Sequence, residues 1–199
     1  MKRLLILILV ASHSVFAQPI IFGTTSAGGN FAKGTIYSIN PDGTNYQVLH
    51  HFDGTDGAQP MGHLTRLPDG RLVGVCFQGG DTNVPGTTYA VNDGGVVFSI
   101  NEDGSGFEVL YSFNLEVAGY INGAQPSFGV LHASDGKLYG TTTSGGGGDG
   151  GILYRINTDG TGFQILLNFT GTGTIKGIPV EIPGNFVIFS AGGTIYKYN

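Results

Sequence analysis

The chain has 199 residues, a formal net charge of −5 and a single cysteine. Glycine supplies 36 residues and proline 8, together 44 of 199; the glycine share lies far above the usual level of about 7%, yet the sum stays below the roughly 25–30% that marks low-complexity disorder. The acidic balance argues against nucleic acid and anionic lipid as partners, and one cysteine excludes a disulfide framework, so the fold must rest on its core.

Lys2 and Arg3 precede the apolar run Leu4 to Ala11, and Val15-Phe16-Ala17 has the small residues that a signal peptidase reads. The run Leu4 to Phe16 is interrupted by Ser12, His13 and Ser14 and falls short of the roughly 20 apolar residues of a spanning helix. Residues 1–17 are expected to be a secretory signal peptide, with no membrane insertion once they are removed. Residues 18–199 then form one extracellular or cell-surface domain, whose formal charge is about −7 after loss of Lys2 and Arg3.

From there the chain repeats itself. Ile20 to Thr25, Gly34 to Asn40 and Tyr46 to Phe52 read as three strands, with Pro41-Asp42-Gly43 as the tight turn between the last two. Period-two alternation would put Tyr46, Val48, His50 and Phe52 on one face. A fourth strand is expected to start at Pro60, and Pro68-Asp69-Gly70 turns it into the next copy. The same landmarks return at Arg71 to Phe77, Gly95 to Asn101, Phe107 to Phe113 and Pro126 to Ala133, with turns at Asp103-Gly104 and Asp135-Gly136. They return again from Lys137 to Phe169, followed by a strand at Gly177 to Ile182, and in part from Asn185 to Asn199. The repeats run approximately over residues 18–70, 71–136, 137–184 and 185–199.

Four short antiparallel strands per repeat, the fourth leading into the next copy, predict an all-β protein: a β-propeller of about four four-stranded blades. The first blade is expected to lack its innermost strand and the last, which ends within a strand at Tyr198-Asn199, its outermost. Open strand edges at both ends would favour self-association. The runner-up architecture is an open curved repeat array or a fragment of a larger propeller.

The order LYGTT, GG, GTIY or ILYRIN, DGT, VLHHF or ILLNF, then GAQP resembles the GloVer tandem repeat of secreted bacterial "choice-of-anchor" proteins, over nearly the whole mature chain. The resemblance implies a surface or extracellular propeller-like repeat protein without an established enzymatic activity, in a family whose members usually carry a C-terminal anchoring segment.

Antiparallel strands place the Asp-Gly turns at one end of every blade and the remaining connections at the other. The turns are nearly constant. The opposite loops vary from SAGGNFAK to QGGDTNVPGTTYAVNDG to SGGGGDG, and from DGTDGAQ to NLEVAGYINGAQ, which suggests a scaffold end and a binding end. Asp81, Asn83, Tyr89, Asn92 and Asp93 in the longest loop, with Glu116 and Tyr120 in the next, are the candidate ligand-binding residues, since an aromatic among amides suits a glycan. Oxygen donors among glycines also suit calcium, although no EF-hand spacing is present; no other cofactor is expected.

The remaining polar residues invite plainer readings. Asp42, Asp69, Asp103, Asp135 and Asp159 belong to turns; Cys76 reads as a small buried side chain; His50 and His51 sit on an outer strand; and the Gly145 to Gly151 loop lacks the Lys-Ser/Thr of a phosphate loop. His63, Arg66, His132 and Glu181 occur on the inner strands at unmatched positions. The preferred reading is a non-catalytic module for a glycan or protein ligand; the alternative, a metal-dependent propeller hydrolase or lyase, needs a convergent metal site or acid–base pair.

Overall fold

The computed structural model describes residues 19–80, 94–113, 122–170, 175 and 177–198. These form fourteen strands in four antiparallel sheets, with no helix among the described residues. Blade 1 contains β1 (Ile21–Thr25), β2 (Thr35–Ile39) and β3 (Gln47–His51). Blade 2 contains β4 (Ala58–Arg66), β5 (Leu72–Gln78), β6 (Val96–Ile100) and β7 (Glu108–Ser112). Blade 3 contains β8 (Ala124–His132), β9 (Lys137–Ser144), β10 (Asp149–Asn157) and β11 (Gln164–Thr170). Blade 4 contains β12 (Val180–Ile182), β13 (Phe186–Ala191) and β14 (Thr194–Tyr198). Each blade is a meander in chain order, so the fold is the expected β-propeller with incomplete first and last blades.

The inner strands β4 and β8 touch directly: a Cβ at Gly62 would collide with the backbone of Phe128 and Gly129, and Thr65 donates its hydroxyl to the Val130 carbonyl. Both strands begin two residues before the proline predicted to start them. Gln59 and Gln125 there take positive φ, 53° and 61°, held by backbone hydrogen bonds to Lys33 and Gly94 in neighbouring loops. The last inner strand is only Val180–Ile182, shorter than the Gly177 start expected.

Each outer strand carries a bulge, which corrects the single face expected for Tyr46, Val48, His50 and Phe52. Tyr37 pairs with Val48 and Ile36 with His50, so Leu49 is the extra residue. The same shift separates Val109 from Tyr111 and Ile165 from Leu167. One added residue reverses the alternation. Tyr46 and Val48 therefore stay on the outer face of blade 1, while His50 and Phe52 turn toward blade 2.

Those turned residues build the core between blades. Phe52 is buried against Phe98 and Phe107 at ring separations of 5.3 and 5.8 Å. One blade on, Phe113 packs against Tyr154 and Phe163 at 5.3 and 5.9 Å; then Phe169 meets Phe189 and Tyr196 at 5.6 and 5.3 Å. Burying one such ring contributes about 1.5–3 kcal/mol. The second interface continues with Val73, Val75 and Val97 of blade 2 against Leu138, Ile152 and Ile156 of blade 3.

Candidate functional site

The Asp-Gly turns share one geometry at one end of the blades. At the turn end, Asp42, Asp103 and Asp159 each accept two hydrogen bonds, from the backbone and the hydroxyl of Thr44, Ser105 and Thr161, at 2.7 to 3.0 Å. Asn40, Asn101 and Asn157 donate to the same hydroxyls at 2.9 to 3.0 Å. The hydroxyl bond, followed by the backbone N–H, holds each of the three carboxyls below its ordinary pKa. In each turn the glycine takes φ between 81° and 86°, the left-handed region that favours this residue. Asp69 is likewise fixed by the N–H of Arg71 at 3.0 Å and Asp135 by that of Lys137 at 3.0 Å. These carboxylates do turn chemistry.

The inner-strand candidates are drawn into the same end. Arg66 makes a two-pronged pair with Glu102, and Glu181 accepts from the backbone N–H and hydroxyl of Ser134. Arg71 reaches the Thr158 carbonyl of the next blade at 3.1 Å. Among the described residues no three His, Cys, Asp or Glu side chains gather as a metal site would require.

At the opposite end, backbone hydrogen bonds tie the roots of the variable loops together. Gly80 donates to Gly54, Gly95 to Gly79, Phe113 to Gly95 and Gln125 to Gly94, at 2.7 to 3.0 Å. The long loops of blade 2 thus leave and return within one short network. Asp81, Asn83, Tyr89, Asn92, Asp93, Glu116 and Tyr120 themselves lie outside the described residues. In blade 3 the glycine loop is closed by its own carboxylate: Asp149 accepts from the Gly145 N–H at 2.8 Å, which occupies the donor that an anion would use.

One pairing at this end escaped the sequence reading. His50 Nε2 lies 2.7 Å from Asp56 Oδ2, and its ring stacks on Phe107 of the next blade at 3.8 Å and 2°. Asp56 also accepts from the Asp53 N–H, while the Thr55 hydroxyl leads the bonds that hold the Asp53 carboxyl below its ordinary range. Nearby Cys76 is buried; burial first, and then the Asp56 charge, push its thiol well up, so it stays a protonated core side chain. Tyr111 repeats the His50 stack on Phe163 at 3.9 Å and 6°, which marks the position as a packing site between blades. A histidine six residues before an aspartate in DGTDG was the available signal, but only the bulge turns its ring inward.

A cavity of about 540 Å3 borders the edge of β1, lined by Pro19, Ile20, Phe22, Leu64, Arg66, Leu72 and Glu102. It adjoins the side where blades 2 and 3 carry an inner strand, and among the described residues that line it the charged groups are the mutually paired Arg66 and Glu102. No helix among the described residues is long and apolar enough to cross a membrane.

Solved structures share this fold at low identity. A chain of the nidogen/laminin complex is similar with a TM-score of 0.57 at 13% identity, covering 92% of this chain and 57% of that one. A candidate 6-phosphogluconolactonase from Bacteroides fragilis is similar with a TM-score of 0.53 at 15% identity, covering 90% and 47%. The chain thus spans about half the length of these structures. Such likeness shows the fold alone. No curated protein matches the chain. The model of the Gloeobacter/Verrucomicrobia repeat matches residues 20–198, and on that match, with its landmarks now seen as blades, the chain belongs to this repeat family.

Proposed function

We propose that this protein is an exported, non-catalytic repeat scaffold of the choice-of-anchor kind, which presents the variable end of its blades to a glycan or protein ligand. The observation that carries this is the contrast between the ends. The turn end repeats one hydrogen-bonded geometry three times over. At the other end a few backbone bonds gather the roots of loops that differ greatly in length and composition. A rigid frame with variable loops is how binding scaffolds are built. Export is supported by the signal pattern of Met1 to Ala17. A hydrolase or lyase would need an activated base or metal, and the paired states of Arg66 and Glu181 favour the scaffold.

Replacing residues 82–92 with a short glycine linker tests the reading. Glycan-array, protein-ligand or calcium binding by the purified chain should be abolished, with the thermal transition within a few degrees of the parent, because surface excursions add little core burial. Asp103→Ala, at the opposite end, should weaken a turn and leave binding intact. A ligand signal that survives loop replacement would overturn the assignment.

A further inference from the structure

The glycine loops of blades 1 and 3 close in the same way. Gly34 donates its N–H to the Gly28 carbonyl at 3.0 Å, and Gly151 donates to Gly145 at 2.9 Å. A second bond inside each loop, from Ala32 to Gly29 and from Asp149 to Gly146, holds a non-glycine residue at φ 56° and 57°. Asn30, Phe31 and Ala32 therefore occupy the places of Gly147, Gly148 and Asp149. The contents of the two frames differ. Blade 3 offers two bare glycines and a carboxylate already engaged by the Gly145 N–H. Blade 1 puts an amide and a phenyl ring there, and the ring is 57% exposed.

The ring stands on a fixed support. The Asn30 N–H donates to His51 Nδ1 at 3.3 Å, so the neutral imidazole carries its proton on Nε2 and keeps it as a donor. The Gln59 N–H donates to the Lys33 carbonyl and the Phe52 N–H to that of Gly34; these ties run to β3 and blade 2, within the molecule. Gln59 repeats the conformation of Gln125, at φ 53° and 61°. The Gln125 side chain is engaged, since its Oε1 accepts from the Ser144 hydroxyl at 2.8 Å. Gln59 is exposed, and Gln78 stands in the place of Ser144. The neighbouring carboxylates are also engaged, Asp53 by the Thr55 hydroxyl and Asp56 by His50. The cluster borders Gly54, whose carbonyl accepts from Gly80 at the root of the long blade 2 loop.

We infer, on the reading of the variable end as the ligand end, that this cluster is a sugar-binding subsite: the Phe31 ring stacks on the apolar face of a neutral pyranose, and Asn30, His51 and Gln59 bond its hydroxyls. Size favours a sugar over a protein. Burying one aromatic side chain removes about 150–250 Å2, whereas each side of a stable protein interface loses about 800 Å2. Chemistry points the same way, because amides supply both the donors and the acceptors that hydroxyls need. A loop already closed by its own hydrogen bonds loses little freedom when the ligand arrives.

A glycan array of neutral oligosaccharides, followed by titration of the best binder, tests the subsite. The chain has no tryptophan, so Phe31→Trp places a single fluorophore in it. That variant should retain binding, and its emission should shift to the blue as the oligosaccharide is added. Phe31→Ala should weaken binding about tenfold or more, the effect of one buried ring, and Asn30→Ala should weaken it severalfold. Both should keep the parent's thermal transition, because both side chains are exposed. A parent without an array signal overturns the inference, as does an emission in Phe31→Trp that does not move at saturation. A protein ligand that depends on Phe31, with no sugar bound, overturns it as well. So does a Phe31→Ala variant that binds like the parent: if replacing residues 82–92 then abolishes the signal, the variable end remains the ligand end and the site lies on blade 2, whereas a signal that survives both changes removes both readings.

Discussion

Gly140 lies directly beneath the ring of Tyr154, whose hydroxyl and ring carbons stand where a Cβ at that position would be. The ring is fully buried between blades 2 and 3, so the glycine is what allows it to lie flat across β9. The same arrangement at Gly23 and Tyr37 borders solvent on the open face of blade 1. Position within the array therefore sets how strongly each copy of one motif is constrained.

Gly140→Ala should destabilise the protein by about 1–3 kcal/mol, the usual cost of forcing extra volume into a packed core. Gly23→Ala should cost less than half of that, because Tyr37 can swing outward. Urea unfolding of the two variants beside the parent measures the difference; equal losses would show that the interblade packing is not what confines the ring.

The Tyr154 hydroxyl is buried without a hydrogen-bond partner among the described residues, and the equivalent residue of blade 2 is Phe98. Tyr154→Phe should leave stability unchanged or raise it by about 1 kcal/mol, since it removes an unsatisfied polar group without changing the packing. Burial, and then the charge of Tyr111, push the Tyr154 phenol above its ordinary pKa of 10.0. The unfolded chain therefore loses this proton first as the solution becomes alkaline. Stability is therefore untouched by this ionisation below about pH 10 and falls as pH rises toward the folded value. Unfolding titrations above pH 10 should fall less steeply for Tyr154→Phe than for the parent.

The turn aspartates act with the opposite sign. Asp42, Asp103 and Asp159 are held below their ordinary value by Thr44, Ser105 and Thr161. Their effect is present above the unfolded value of about 4 and is lost as pH falls through the lowered folded values. The triple Asp→Asn variant should show a flatter acid limb in thermal unfolding between about pH 4 and pH 2. An unchanged limb would mean that acid sensitivity arises elsewhere.

His50 is held by Asp56 at one ring nitrogen and by the face of Phe107. His50→Ala should cost about 1–3 kcal/mol from lost stacking and an unpaired partner. His50→Tyr, which copies the Tyr111 position of blade 2, should recover most of the loss. Chemical denaturation reads both; a tyrosine variant no better than alanine would point to the Asp56 bond, not the stack, as the source of stability.

Strand number, turn positions and the incompleteness of the terminal blades were legible in the sequence because they rest on local rules. Alternation declares a strand within five residues, and an aspartate followed by a left-handed glycine declares a turn within three, as at Asp42-Gly43 and its copies. The start of the inner strands at Ala58 and Ala124 was not legible, because the positive φ of Gln59 and Gln125 is held by carbonyls of Lys33 and Gly94, which reach them from neighbouring loops. Nor was the face of His50, because the bulge at Leu49 appears only once β3 is registered on β2. The seven proposed ligand residues rest on chemistry and loop length, and their positions lie outside the described residues. Alternation also made both faces of every blade look alike. Which face is covered depends on the blade beside it, so only the packed array distinguishes buried Val97 from exposed Ile195.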